Sequence, residues 1–317
     1  HEINSHGIYG YYGDYKEYNN SIKWWMKNRH NWEIDTSWIF TTHGLVNGTG
    51  LCIDAFTKPG DGIILFTPVY YQFSNLVEAA RRKVVECPLK LIDNHYHFDF
   101  VAYERNLSGD EKMVILCSPH NPGGRVWTKN ELQEVAKFAK KHDLVLVSDE
   151  IHHDLVYPNK RHTVMPIADP SVCDRLVMMT ATTKTFNIAG AHSGNVIIPH
   201  PNLRQKFSQR IKALGISPNS FGLFMATAAY SPEGAEWLDE LLHYIDGNRV
   251  IFDKEVNKIP GLSSMPLEGT YFAWVDFSGT GMEEEEFIYR VQEKAKIAVK
   301  VGHGECRNEH AVRQPAR

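Results

Sequence analysis

The 317-residue chain has no apolar run near the ~18 residues that a membrane span requires, so nothing in it reads as a transmembrane helix. It has no basic stripe either: Lys plus Arg 34 against Asp plus Glu 38 gives a net charge of -4, and nothing favours nucleic acid. The five cysteines (Cys52, Cys87, Cys117, Cys173, Cys306) form no C-x-x-C pair. That spacing argues against a disulfide framework or a zinc ribbon and fits unpaired thiols in a reducing cytoplasm. Sixteen histidines are present without metal-ligand spacing; the adjacent His152 and His153 would point to opposite faces of a strand, and no metal is expected. The G-x-x-x-x-G-K-[ST] of a nucleotide loop and the G-x-G-x-x-G of a dinucleotide fold are both missing. There is no internal repeat, low-complexity tract or signal peptide, and the chain opens at His1 without a methionine, so a chain shortened at both ends is expected.

What is present is the composition of an ordinary globular protein, with 43% hydrophobic and 23% charged residues and enough length for two domains. Residues 1–20 are rich in Gly, Tyr and Asn and read as an arm. Ile22, Trp25 and Met26 then predict a short helix over Ser21 to Arg29. Short apolar strands are predicted at Trp38 to Thr42, Ile63 to Phe66, Val84-Val85, Met113 to Cys117, Leu144 to Val147, Leu176 to Thr180 and Val196 to Ile198. Helical patterns fall at Phe73 to Arg82, Lys129 to His142, Asn202 to Leu214, Ala235 to Lys258 and Met282 to Lys296, with one more strand at Thr270 to Phe277. Continuous apolar strands alternating with helices indicate an α/β fold with a mostly parallel sheet covered on both faces. Ligands of such sheets collect at the carboxyl ends of the strands. Gly44, Tyr70, Asn121, Asp149 and Lys184 each follow a predicted strand.

Each of these residues has an ordinary structural use. Lys184, in Thr182-Thr183-Lys184-Thr185-Phe186-Asn187-Ile188-Ala189-Gly190, could cap a strand end with its head in water. In the dry neighbourhood that Phe186, Ile188 and Ala189 suggest, its amine would instead be neutral and able to condense with an aldehyde. Asp149 ends a buried strand, where a carboxylate is either satisfied locally or paired with a cationic ring nitrogen. Asn121, in Asn121-Pro122-Gly123-Gly124, is either a turn residue or a donor to a phenolate oxygen. Gly44-Leu45-Val46 opens a helix and presents backbone N–H groups to an anion, with Thr182 and Thr183 as added hydroxyl donors. Tyr70 is either core or a face for a flat aromatic ring. Together they describe pyridoxal phosphate, with the aldehyde at Lys184, the ring nitrogen at Asp149, the phenolate at Asn121 and the phosphate at the Gly44 turn.

The Lys184 segment and Ser148-Asp149-Glu150-Ile151-His152-His153-Asp154-Leu155 resemble the aminotransferase class I/II family, fold-type I, and within it the MalY/PatB branch of cystathionine β-lyase-like C–S lyases. The resemblance runs from about Gly7 to Ala298. It implies a three-layer αβα large domain over 31–245, with a mostly parallel mixed sheet, and an arm plus small α+β domain from 1–30 and 246–317. It also implies Lys184 as Schiff-base lysine and proton shuttle, Asp149 on the ring nitrogen, Asn121 and His152 near the phenolate, and Tyr70 stacked on the ring. Leu45, Val46 and Thr182 or Thr183 hold the phosphate in that reading, and Tyr11 reaches the phosphate of the neighbouring subunit in a homodimer with shared sites. His192 stands where many aminotransferases have a phosphate-binding arginine, which favours the lyase branch. The C-terminus departs from the pattern, and Arg307 is the candidate for the substrate carboxylate. The implied activity is β-elimination from cystathionine or another S-substituted cysteine, with an aminotransferase, or a cofactor-binding regulatory protein of little turnover, as the alternatives.

Overall fold

The computed structural model describes residues 15–301 and 311–314; Tyr11 and Arg307 lie outside them. Its strands are β1 (Ile39–Thr42), β2 (Gly62–Leu65), β3 (Lys83–Glu86), β4 (Lys90–Ile92), β5 (His95–His97), β6 (Glu111–Cys117), β7 (Val145–Asp149), β8 (Leu176–Thr180), β9 (Gly194–Ile197), β10 (Ser263–Ser264), β11 (Ala273–Asp276), β12 (Lys300–Val301) and β13 (Ala311–Gln314). The central sheet has seven strands in the order β1-β9-β8-β7-β6-β2-β3. Only β9 runs against its neighbours. The chain between β8 and β9 holds just two short helical turns, too little for the crossover that a parallel return requires.

Alternation along the strands divides the core. Ile64, Val114, Leu146, Leu176 and Met178 face one layer, while Ile63, Leu65, Met113, Ile115, Val147, Val177 and Met179 face the other. The first layer takes α1 (Lys16–His30), which buries Tyr18, Ile22, Trp25 and Met26 at helical spacing and ends at Asn31 in the left-handed conformation (φ 55°). Trp25 stacks on Tyr230 with ring centroids 4.6 Å apart. The second layer takes α2 (Leu45–Phe56) and α3 (Gln72–Ala79). The longer of the later helices are α4 (Lys129–Lys141), α5 (Pro201–Ala213), α6 (Ser220–Ala229) and α7 (Pro232–Val256). Their starts are written in the sequence: Thr128 and Glu131 form a reciprocal capping box on α4, and Pro201 and Pro232 open α5 and α7. The expected boundary at residue 245 falls inside the continuous helix α7.

Three local features differ from the sequence reading. The β4–β5 hairpin was not anticipated, although its two turn residues Asp93 and Asn94 (φ 49° and 59°) are types that tolerate the positive φ of such a turn. Helix α6 is separate from α7, divided where Ser231 caps the N–H of Gly234. The helix expected over Met282 to Lys296 is α-helical only from Glu284 to Tyr289 and widens into a π turn over Arg290–Lys294, because only Phe287 in this stretch is buried.

The second sheet, β10-β11-β13-β12, is antiparallel where its strands pair, and Met265 and Trp274 from this region enter the first core layer. A buried ion pair fixes the region to the turn after β6. Arg125 Nε donates to Glu268 Oε2 at 3.2 Å, its Nη2 donates to Glu131 at 3.0 Å, and the Val126 N–H donates to Glu268 Oε2 at 2.9 Å. Removing one partner of a buried pair strands the other, so Arg125→Ala is expected to destabilise the fold by about 3 kcal/mol, read as a fall in the urea midpoint. Arg125→Lys should recover only part of this, since an ammonium cannot serve the separate acceptors of the guanidinium fork.

Candidate active site

Strands β1, β2, β6, β7 and β8 are mutually parallel, so their carboxyl ends share one edge of the sheet. That edge opens into a cavity of about 270 Å³. The sequence places Gly44 after β1, Tyr70 after β2, Asn121 after β6, Asp149 at the end of β7 and Lys184 after β8, and all five line this cavity, as do Leu45, Val46, His152 and Thr183. Thr182 does not line it. It heads the short helix Thr182–Thr185, and its buried Oγ1 has no hydrogen-bond partner.

The phosphate-type corner comes from Gly44, whose φ of 82° is open to glycine and costly for other residues. It starts α2 without a side-chain cap, so Leu45 and Val46 present N–H groups at the positive end of a 12-residue helix. Gly194 at the start of β9 lies directly against this turn: a Cβ there would come within 2.7 Å of Leu45 Cδ2 and 2.9 Å of the Gly44 carbonyl carbon.

Asp149 is 6% exposed, and its Oδ1 accepts the Ile151 N–H at 3.1 Å. Burial pushes its carboxyl up from 3.8 to about 7; the Ile151 N–H opposes this, neighbouring Glu150 adds to it and Lys184 opposes it. The side-chain Oδ1 of Asn121 is buried without a hydrogen-bond partner. His152 is buried and meets Tyr271 and Phe272 edge-on, with ring centroids at 5.6 and 5.7 Å.

The surroundings of Lys184 correct the sequence reading. The lysine is half-buried, not enclosed by the apolar residues after it. Phe186 packs against Trp25 and Trp237, and Ala189 is exposed, because the chain turns sharply through Asn187 (φ 53°) and His192 (φ 45°) to reach β9. The turn is supported from behind, where Thr185 Oγ1 donates to the buried Asp154 Oδ2 at 3.0 Å.

His43, Phe73, Cys117, Ile151, Ala189 and Phe272 also line the cavity and were not singled out from the sequence, and His192 joins them. Several adjoin strand ends already marked, so the strand-end rule could have reached them. Phe272 carried no such signal, because it arrives with the second sheet.

A fold with a helix N-terminus, a lysine and a buried aspartate at neighbouring strand ends is that of a large group of amino-acid enzymes. The chain belongs to the aminotransferase class I and II family, whose model matches residues 1–310. Within that family it is 35% identical over 300 residues to cystathionine beta-lyase PatB of Bacillus subtilis, covering 94% of this chain and 77% of that one. It is 29% identical over 304 residues to protein MalY of Escherichia coli, covering 94% and 77%. Among solved structures, cystalysin from Treponema denticola, which contains a pyridoxal 5'-phosphate cofactor, superposes with a TM-score of 0.91 at 37% identity, covering 97% of this chain and 79% of that one. The expected fold type is therefore the one present.

Proposed function

We propose that this chain is a pyridoxal-phosphate-dependent carbon–sulfur β-lyase that acts on cystathionine or another S-substituted L-cysteine. The observation that carries the reading is the meeting of Lys184, Asp149 and Asn121 in one cavity, at the ends of the adjacent strands β8, β7 and β6. The residues fit the cofactor on two counts. Asp149 is a carboxyl whose burial is tolerable as an anion only beside a cation, and the Gly44 turn offers uncapped N–H groups.

Bound there, pyridoxal phosphate supplies the aldehyde that attaches the substrate and the ring that accepts the electron pair left at Cα. Asp149 would hold the ring nitrogen in its protonated state. The Asn121 side-chain N–H would donate to the phenolate oxygen, with His152 beside it, and Tyr70 would present its face to the ring. The N–H groups of Leu45 and Val46, with the hydroxyl of Thr183, would hold the phosphate. Lys184 Nζ would hold the cofactor at rest and would take the Cα proton of the substrate, and the overall β-elimination would break the Cβ–S bond with its electrons on sulfur and give, after hydrolysis, a thiol, pyruvate and ammonia. The PatB relative, named a cystathionine beta-lyase, favours the lyase over amino transfer. A homodimer with shared sites, in which Tyr11 reaches the neighbouring cofactor and Arg307 binds the substrate carboxylate, completes the proposal.

The test is to incubate the cofactor-loaded protein with cystathionine in the absence of any keto acid. Many equivalents of pyruvate and thiol per chain are expected. Uptake of the amino group that stops after one equivalent would instead assign an aminotransferase, and a protein that binds the cofactor without reacting would be a binding protein.

A further inference from the structure

A second cavity, of about 240 Å³ and open to solvent, shares no lining residue with the first. Its inner wall is formed by His30, the last residue of α1, and by His153 and Asp154 from the turn after β7. Each offers one ligand atom, and these atoms all lie within 4.8 Å of one another. His30 Nε2 stands 2.9 Å and His153 Nε2 3.4 Å from the same oxygen, Asp154 Oδ1. Ligands bound at 2.0–2.1 Å around a tetrahedral zinc ion stand about 3.3 Å apart, close to both histidine–Asp154 spacings.

The decisive group is His153. Its Nδ1 is 2.6 Å from the Glu150 backbone carbonyl, which can only accept, so Nδ1 carries the hydrogen and Nε2 carries a lone pair. That Nε2 is buried and has no hydrogen-bond partner. Burying an unsatisfied polar atom is costly, and a cation between the imidazole and Asp154 removes the cost. A backbone carbonyl behind a ligating imidazole is also how metal-binding histidines are commonly oriented. His30 Nε2 lies at hydrogen-bond distance from the Asp154 carboxylate and must give up any proton there to coordinate. The cavity mouth carries Arg29, Lys160 and Arg161, but Arg29 pairs with Asp239 at 2.7 Å and Lys160 with Glu268 at 2.6 Å.

We infer that His30, His153 and Asp154 form a binding site for a divalent transition-metal ion of the zinc type, with solvent from the open cavity completing the coordination. The ion has a structural role. It joins the end of α1 to the turn after β7 and, through Asp154 and Thr185, braces the turn that carries Lys184. His30 lies 124 residues from Asp154, whose neighbour is His153, so sequence spacing gives no hint of the site.

The experiment uses the holoenzyme after dialysis against EDTA, without substrate, titrated with Zn²⁺ by calorimetry and with Co²⁺ by visible absorbance. One ion per chain, the intense cobalt bands of a four-coordinate site and a rise in Tm that EDTA reverses are expected. His30→Ala and His153→Ala should each weaken Zn²⁺ binding at least about 100-fold, since even an outer partner of a metal ligand is worth 10–100-fold. His243→Ala, on the exposed side of α7, should leave it unchanged. If either alanine variant folds poorly, the wild-type titrations decide alone. No saturable binding by the wild type, cobalt spectra lacking the four-coordinate bands, or binding that survives both substitutions would each overturn the site.

Discussion

Lys184→Ala is expected to lower the rate of pyruvate release by about 10³–10⁴-fold, the range for removing a positioned general acid–base. The loss should lie in kcat. Substrate contacts remain, whereas among the described residues no other lysine lines the cavity to take the Cα proton. Because Lys184 is half-buried at the end of a short helical turn, the substitution leaves no cavity in the core and should change Tm little. Two measurements separate a chemical from a structural role. Borohydride reduction of the loaded wild type, followed by peptide mapping, should mark Lys184 and leave the variant unmarked. A small exogenous primary amine should restore part of the variant's turnover. Full activity in a well-folded Lys184→Ala protein would remove the basis of the proposed mechanism.

Asp149→Asn should reduce turnover by about 10³-fold, within the range seen when a single charge-stabilising group is removed from an active site. Its effect on stability has the opposite sign. Without cofactor, the folded chain holds a proton on Asp149 up to about pH 7, while the unfolded chain releases it near 3.8. The folded state therefore binds more protons across this window, and this residue's contribution to stability falls as pH rises through it. A shift of about three units corresponds to roughly 4 kcal/mol, fully expressed above about pH 7. The cofactor-free Asp149→Asn variant should thus be more stable than cofactor-free wild type at pH 8, by up to that amount, and no more stable at pH 4. Cofactor loading should close the gap by stabilising the wild type, because a ring cation against the carboxylate offsets the cost of its burial. Thermal melts of both forms at the two pH values check the sign, and a cofactor-free variant less stable than wild type at pH 8 would contradict it.

Much of this site was legible because its parts are local. A short apolar strand ending in a polar residue is a pattern within one stretch of chain, and it occurs before Gly44, Asn121, Asp149 and Lys184. A parallel sheet then puts those ends at one edge without further information. Because the strands are apolar throughout, period two sends neighbouring side chains into opposite layers and fills both. The enclosed lysine failed for the same reason: Phe186 and Ile188 are apolar, but their neighbours in space are set by where the chain turns toward β9.

By itself, then, the sequence determined the class of the fold, the strand-end residues and the chemistry they can support, all of which follow from periodicity and residue type over a few positions. Only the tertiary structure decided that β9 runs antiparallel and presses Gly194 beneath the Gly44 turn, that Phe272 closes on His152, and that Arg125 meets Glu268. It alone brought His30 to His153 and Asp154. These contacts join residues far apart along the chain, and their geometry depends on how whole elements pack, which no single stretch of sequence encodes.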